Sequence, residues 1–296
     1  MRKMMRHGLR WVSAFCLIVF AAVPALGDVI YNNLTPNNSM AIATRPDSPG
    51  VFEIEAGDDF FLKSRTSING ASFIGLIVPG SAGAPSVSQV VVEIYRIFPL
   101  DSDAARIPKV PTRTNSPSDV AFDSRDSGAN SLMFGTSVLA PTFTALNTVQ
   151  PGGIHASPLQ TTGGNGPLTG QEIQVNVTFS NPFDLPPDHY FFVPQVALTN
   201  GAQFYWLSAS RPITGAGGTT PFPVGVTDLQ AWTRDSMLDP DWLRVGMDIV
   251  GGTTPPAFNA AFSLAGTAIP APASLTLLAL GLAGLAGTRW RSNRRP

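Results

Sequence analysis

The sequence predicts an all-β protein, a two-sheet sandwich of jelly-roll type with long loops, and three observations lead to this prediction. Gly (28) and Pro (27) are both frequent among the 296 residues, while charged residues make up only 13%. Short apolar runs are broken by turn residues throughout, which is typical of strands joined by turns. Only 141–149 and 228–234 have a helical pattern, and both are too short for the crossover helices of a parallel α/β fold.

The clearest predicted strand is 172–179, in which polar and apolar residues alternate. This period of two predicts a strand with one buried and one solvated face. The other predicted strands are 60–63, 71–78, 87–98, 190–198, 204–208, 245–250 and 258–264. Pro194 interrupts one of them, so we expect that strand to lie at a sheet edge or to carry a bulge. The long loops are predicted at 101–130, 150–170 and 211–225.

The first 27 residues have the three parts of a secretory signal peptide, which would form an N-terminal helix. A cationic stretch comes first, with Arg2, Lys3, Arg6 and Arg10. An apolar run, 11–23, precedes the small residues Ala25 and Gly27, so signal peptidase is expected to leave Asp28 as the mature N-terminus. The run is shorter than the roughly 20 residues of a membrane-spanning helix. An uncleaved anchor is the alternative.

The only cysteine, Cys16, lies inside this apolar run, behind the bulky Phe15. Lipid attachment requires a small residue at that position, so we do not expect lipidation. The mature protein is therefore predicted to contain no disulfide, thiolate metal site or cysteine nucleophile.

The C-terminal end has three features in a fixed order. A Pro270-Ala271-Pro272 motif precedes an apolar stretch, 273–288, that predicts a short hydrophobic helix. The tail that follows is basic, with Arg289, Arg291, Arg294 and Arg295. Because arginines stay on the cytoplasmic side of a membrane, the preceding domain is expected outside. A plain C-terminal membrane tail is one interpretation of this pattern.

This C-terminal end also resembles the PEP-CTERM sorting signal of Gram-negative bacteria, over residues 269–295. Ala271 departs from the family, which usually has Glu between the two prolines. The resemblance implies an exosortase-like processing enzyme, transient anchoring in the inner membrane, and delivery to the cell surface or the extracellular space. It also implies a setting of exopolysaccharide and biofilm matrix. The predicted organisation is therefore a signal peptide (1–27), a β-sandwich domain (28–266) and a sorting segment (267–296).

The charge distribution argues against nucleic acid as a partner. Eight of the 19 basic residues lie at the two ends, which leaves 11 in the middle against all 20 acidic residues. An acidic domain repels nucleic acid and anionic lipid headgroups.

Two kinds of binding site are compatible with the residues of the middle region. Exposed aromatic rings can stack on sugars, and the candidates are Tyr205, Trp206, Trp232 and Trp242. Closely spaced carboxylates in loops can bind calcium, and the candidates are Asp101, Asp103, Asp239 and Asp241. Core aromatics and solvated turn carboxylates are the respective alternatives. No other cofactor is predicted.

No catalytic residue is assigned from the sequence. His155 and His189 lack the motifs of nucleophilic catalysis, and we expect both to be structural. The arginines among the loop aspartates are expected to form ion pairs that fix the loops; they are Arg96, Arg106, Arg113 and Arg125.

The sequence therefore favours an exported surface or matrix protein without catalytic activity, associated with glycan or exopolysaccharide. The alternative is a secreted hydrolase that acts on polysaccharide through paired Asp residues, such as Asp58 and Asp59. A purely structural domain is the third possibility.

Overall fold

The computed structural model of the chain describes residues 27–80, 83–150, 161–210 and 229–270. These residues form two β-sheets, which confirms the all-β prediction. In chain order the strands are β1 (Asp28–Asn32), β2 (Pro36–Ala43), β3 (Ile54–Phe61), β4 (Thr66–Val78), β5 (Val87–Arg96), β6 (Asp123–Asp126), β7 (Leu132–Ala145), β8 (Thr148–Val149), β9 (Leu168–Leu185), β10 (His189–Leu198), β11 (Gln203–Ala209), β12 (Trp232–Asp235), β13 (Leu243–Arg244), β14 (Asn259–Ala260) and β15 (Phe262–Ala268).

Several predicted features lie outside the described residues. They are the signal-peptide helix with Ala25, the loop residue His155, the whole of the predicted loop 211–225, and the C-terminal segment with Ala271, Pro272, Arg289, Arg291, Arg294 and Arg295. Within the part of the chain that the structure describes, no helix combines the length and the hydropathy needed to cross a membrane.

The nine-stranded sheet is organised around β4, its central strand. One edge of β4 pairs with β9, and β9 pairs in turn with β7. The other edge of β4 pairs first with β15 and further along with β11. Beyond these lie β1, beside β15, and β2, beside β11. All these pairs are antiparallel, whereas the short β8 runs parallel to β2.

The six-stranded sheet has the order β13-β12-β3-β10-β5-β6. Its four pairs from β12 to β6 are antiparallel. Along each strand, successive side chains point to opposite faces of the sheet. On β5 the buried series Val90, Val92 and Ile94 points into the sandwich. In the sequence both faces of this strand are apolar, which predicts an internal strand, and the neighbours of β5 on each side confirm this prediction.

The main core lies between the two sheets. Phe192 of the six-stranded sheet stacks on Phe262 of the other, with ring centroids 5.1 Å apart. It also meets Phe73 and Trp206 edge to face, at 6.1 and 6.0 Å. Aromatic contacts of this kind add to the free energy of burial. A smaller cluster, which includes Tyr95, Trp232 and Trp242, covers the outer face of the six-stranded sheet.

Three local predictions were wrong. Segment 141–149 is not helical, because β7 runs to Ala145 and β8 follows it. Of segment 228–234, residues 232–234 belong to β12, and Asp228 lies outside the described residues. Segment 245–250 is a single-turn π-helix instead of a strand. There the Asp248 carboxylate accepts from the backbone and guanidinium of Arg244, at 2.7–2.9 Å, which closes the turn locally.

Pro194 does not mark a sheet edge, because β10 lies between β3 and β5. The ladder to β3 ends at Phe192, so the missing N–H of Pro194 interrupts no pair on that side. The carbonyl of Pro194 instead accepts the Thr44 hydroxyl at 2.5 Å.

The first and last long strands of the domain pair with each other. Asp28 of β1 lies opposite Gly266 of β15. The backbones approach so closely that a Cβ at Gly27 would lie 2.6 Å from the Gly266 nitrogen. A Cβ at Gly266 would lie 2.5 Å from the Ser67 carbonyl oxygen. Glycine is therefore required at both positions by space.

Candidate functional site

A cluster of carboxylates lies on the outer face of the six-stranded sheet. Glu55 of β3 and Glu93 of β5 point to this face, and Glu53 immediately precedes β3. One carboxylate oxygen from each of the three residues lies within 4.8 Å of the others. The chain contains four glutamates in all, so three of them meet here. We call Glu53, Glu55 and Glu93 the glutamate cluster.

Strand alternation explains how the cluster is assembled. Glu53 and Glu55 are two residues apart, as are Glu93 and Tyr95, and residues at this spacing share a face. β10 separates the two strands and places Gln195 between them. The Gln195 amide donates to the Glu53 carboxylate at 2.8 Å. Because Gln195 is fully buried, this hydrogen bond holds the Glu53 carboxylate in place.

Tyr95 and Arg234 hold Glu55 in place. The Tyr95 hydroxyl donates to Glu55 Oε1 at 2.7 Å and lies 3.1 Å from Glu93 Oε2. The Arg234 guanidinium donates from Nε to Glu55 Oε2 and from Nη2 to Oε1, the latter at 3.2 Å. Nη2 also donates to the Tyr95 hydroxyl at 2.8 Å. Glu55 is therefore the buried, fully bonded member of the glutamate cluster.

Burial and mutual repulsion determine the protonation of the cluster. Burial, reinforced by the charge of Glu55, raises the pKa of Glu93 to about 8. Burial, and after it the charge of Glu55, also raises the pKa of Glu53. Burial is the largest single influence on Arg234 and lowers its pKa, but the combined interactions with Glu55, Tyr95 and Asp239 outweigh burial and raise the pKa of the guanidinium. Near neutral pH the cluster therefore holds a proton in the absence of another cation.

Arg234 also connects the sheet to the loops that cover it. Its Nη1 donates to the carbonyl oxygens of Asp119 and Pro240, at 2.9 and 3.1 Å. Its guanidinium carbon lies 4.5 Å from the centre of the Trp242 ring, a cation–π contact. The segments around 119 and 240 are thereby fixed above the glutamate cluster.

The predicted ion pairs of the long loop are confirmed. Arg96 pairs with Asp101, Arg106 with Asp241, Arg113 with Asp119, and Arg125 with Asp123. All four arginine side chains are more than two-thirds buried, so these pairs belong to the packed loop and are only partly screened by solvent.

The four aspartates predicted to bind calcium have other partners. Asp101 accepts from two nitrogens of Arg96, and Asp241 accepts from Arg106 and from the Lys109 N–H at 2.7 Å. Asp103 accepts the Ala105 N–H at 3.0 Å, and Asp239 lies 3.2 Å from Arg234. Among the described residues, the ligand side chains that lie close enough together to share one ion are those of the glutamate cluster, and none of these aspartates belongs to it.

The four aromatics predicted to stack on sugars are core residues in the structure. Trp206 and Trp232 are fully buried, Trp242 is 2% exposed and Tyr205 is 7% exposed. Trp206 donates to the Ala261 carbonyl and Trp242 to the Ser118 carbonyl, at 2.9 and 3.1 Å. A sugar would need an open ring face, so the stacking hypothesis is wrong for these four residues. On β11, strand alternation places Tyr205 and Trp206 in apolar clusters on opposite sides of the sheet.

One aspartate pair considered for the hydrolase alternative, Asp58 and Asp59, points apart. Asp58 and Asp59 are adjacent on β3 and therefore face opposite sides of the sheet. Asp58 accepts the Ala260 N–H at 2.7 Å, inside the sandwich. Asp59 lies 3.1 Å from His189 on the outer side, and the His189 ring stacks on Phe61 at 4.0 Å. Gly27, Asp28 and Pro270 are the described residues of the two predicted processing motifs. Asp28 is the first residue of β1, and Gly27 and Pro270 lie just outside β1 and β15.

The glutamate cluster was not predicted from the sequence. Its signal was present in the alternating Glu53 and Glu55 and in the rarity of glutamate. Chemically, the cluster can hold a proton or a hard cation, because carboxylate oxygens are the ligands of both. Comparison with protein-family models, with curated proteins and with solved structures finds no match to this chain.

Proposed function

We propose that this chain is an exported cell-surface or extracellular-matrix protein without catalytic activity, which associates with matrix polysaccharide. The observation that carries the proposal is the order of features along the sequence. A signal-peptide pattern ends at Gly27, and a PEP-CTERM-like segment begins after Gly266. The described residues between them form two sheets, and we assign their connectivity to the jelly-roll type as part of the same proposal.

The pairing of Asp28 with Gly266 supports these two junctions. The first strand begins at the predicted mature N-terminus, and the last strand ends at Ala268, just before Pro270. Cleavage after Gly27 and near Pro270 would therefore leave every described strand in place, although β15 extends two residues past the predicted domain boundary at Gly266. Signal peptidase and an exosortase-like enzyme are the proposed partners, with the inner membrane as a transient one.

Contact with polysaccharide would use residues other than Tyr205, Trp206, Trp232 and Trp242, because these are buried. A sheet face whose exposed polar residues alternate along the strand with buried apolar ones offers such residues. On β9, for example, Asn176 and Thr178 are exposed, and uncharged hydrogen-bonding groups of this kind suit sugar hydroxyls.

The test is the intact mass and the location of the protein in fractions of its native host. We expect a species that starts at Asp28, ends near Pro270 and lies outside the inner membrane. A variant with Arg289, Arg291, Arg294 and Arg295 changed to Gln should retain its tail, whereas the control Arg211→Gln should be processed normally. A wild-type species that keeps its basic tail and stays with the inner membrane would refute the sorting proposal.

A further inference from the structure

We propose that a cavity beside Arg45 binds a carboxylate-bearing sugar, a uronate unit of a polysaccharide; this inference rests on the association with matrix polysaccharide proposed above. The cavity has a volume of about 190 Å³. It lies where β10 turns into β11, against the segment 45–51 that leads from β2 to β3. At about 30 Å³ for each water molecule, it has the space of about six waters, which one sugar ring would fill.

Arg45 differs from the other arginines in the described part of the chain, because no carboxylate there forms an ion pair with it. The other seven each have such a partner; they are Arg65, Arg96, Arg106, Arg113, Arg125, Arg234 and Arg244. Burial lowers the pKa of the Arg45 guanidinium from its ordinary value. An anion bound beside Arg45 would offset the hydration that burial removes.

The guanidinium of Arg45 is held in one orientation. Its Nε donates to the Phe52 carbonyl oxygen at 3.0 Å, and its central carbon lies 4.8 Å from the centre of the Phe52 ring. The backbone of Arg45 pairs with Ile54 in both directions, at 2.8 and 3.0 Å. Its Nη1 and Nη2 make no hydrogen bond to the described residues. These two nitrogens form a planar fork that matches the two oxygens of a carboxylate.

The other walls of the cavity suit the rest of a sugar ring. Gln203 lines the cavity, and its Oε1 accepts the Tyr205 hydroxyl at 2.8 Å. The amide nitrogen of Gln203 has no acceptor among the described residues, so it can donate to a sugar hydroxyl. Ser48 adds a polar residue, while Val196 and Phe204 add apolar surface for the C–H face of the ring.

The turn that forms one wall is fixed before any ligand binds. Asn200 and Gly201 have left-handed backbone conformations, with φ of 61° and 65°. The Asn200 amide donates to the Ala84 carbonyl at 2.9 Å, and the Ala202 N–H donates to the Thr199 carbonyl at 3.2 Å. A wall that is already ordered lowers the entropic cost of binding.

The charge of the surrounding domain restricts the kind of polysaccharide. The middle of the chain carries 11 basic against 20 acidic residues, so it repels a densely charged polyanion. A single carboxylate among neutral sugars would meet the Arg45 guanidinium with much less repulsion. The preferred ligand is therefore a polysaccharide in which uronate units are spaced by neutral ones.

The test is an NMR titration of the purified full-length chain with methyl glucuronoside. We expect saturable shifts of backbone amides in 45–51 and 201–204, around the cavity. The 6-methyl ester of the same sugar is the matched ligand, because it keeps the ring and its hydroxyls but loses the charge. It should bind at least tenfold more weakly than the acid.

Arg45→Gln should weaken binding of methyl glucuronoside at least tenfold. Arg45→Lys should bind better than Arg45→Gln but more weakly than the wild type, since it keeps the charge and loses the planar fork. The control is Arg65→Gln, which removes one positive charge from the exposed pair with Asp184. It should bind as the wild type does, and circular dichroism should show all three variants folded.

Three outcomes would overturn the proposal: equal binding of the acid and its methyl ester, wild-type affinity in Arg45→Gln, or no shifts around the cavity. The comparison of acid and ester uses the wild type alone, so it decides even if Arg45→Gln does not fold. Export and processing in the host are measured separately. Failure of the titration would leave the proposed surface location standing, and failure of export would not change the titration.

Discussion

Arg234 and Glu55 form a buried ion pair that joins β12 to β3, with both side chains less than 10% exposed. Two guanidinium nitrogens bind the two carboxylate oxygens, and the remaining donors of Arg234 bind Tyr95 and two loop carbonyls. Removal of one partner would leave a buried charge without compensation, which is far more costly than loss of an exposed pair.

Arg234→Ala should therefore lower the free energy of unfolding by about 3–5 kcal/mol. The matched control is Arg65→Ala, because the Arg65–Asp184 pair is 60% and 44% exposed. An exposed pair contributes little to stability, because solvent screens it and ordering the two side chains costs entropy. Urea denaturation followed by circular dichroism measures both. Equal losses in the two variants would contradict the role assigned to Arg234.

Glu93 should make the stability depend on pH when divalent cations are absent. Its pKa is about 8 in the folded chain against an ordinary value of 4.5, so the folded state binds the proton more tightly. The stabilisation is complete below pH 4.5 and is lost as the pH rises through about 8. The groups that act on Glu93 are Glu55, Glu53 and the Tyr95 hydroxyl.

The measurement is the free energy of unfolding at pH 5 and at pH 8.5, in EDTA. The wild type should lose at least about 1 kcal/mol more than Glu93→Gln over this interval, since each unit of pKa shift corresponds to about 1.4 kcal/mol. Parallel pH profiles of wild type and Glu93→Gln would show that Glu93 is not the group that titrates.

Phe192→Ala should remove the central contact between the sheets. Phe192 is fully buried and touches rings of Phe73, Trp206 and Phe262. Truncation of a core phenylalanine costs about 3–5 kcal/mol. Val138→Ala is the control, because Val138 is 58% exposed on β7 and should change stability by less than about 0.5 kcal/mol. Thermal unfolding of both variants distinguishes the two sites.

Gly266→Ala should disturb the edge formed by β1 and β15. The new Cβ would lie 2.5 Å from the Ser67 carbonyl oxygen, so the backbone must shift. Gly135→Ala in β7 is the control, since nothing lies within 4 Å of a Cβ there. We expect faster amide exchange in residues 28–32 and 262–268 of Gly266→Ala only. Unchanged amide exchange in both variants would mean that the β1–β15 pair accommodates the methyl group without being disturbed.

Strand periodicity made the fold class and several strands predictable. The alternation in 172–179 lies within β9, and the buried series on β5 is where the pattern placed it. The helical pattern of 141–149 failed because Pro141 lies at a bulge of an edge strand, between Ala140 and Phe143. A bulge tolerates proline, and local sequence alone does not distinguish it from a first helical turn.

The glutamate cluster was harder to predict because its members come from strands that are not neighbours. Glu55 and Glu93 are separated by β10 in the sheet, so only the strand order brings them together. The buried aromatics illustrate the same limit. Alternation correctly places Tyr205 and Trp206 on opposite faces of β11, but both faces of that strand are covered.

The pairing of Asp28 with Gly266 has a consequence for how the chain could be rewired. Opposed residues in an antiparallel ladder have Cα atoms about 5 Å apart. A linker of a few residues would therefore join the two ends of the domain, and the chain could be reopened at an exposed loop. In such a circular permutant the strand pairs of both sheets would persist, while the signal peptide and the sorting segment would be attached at the exposed loop chosen for the new ends.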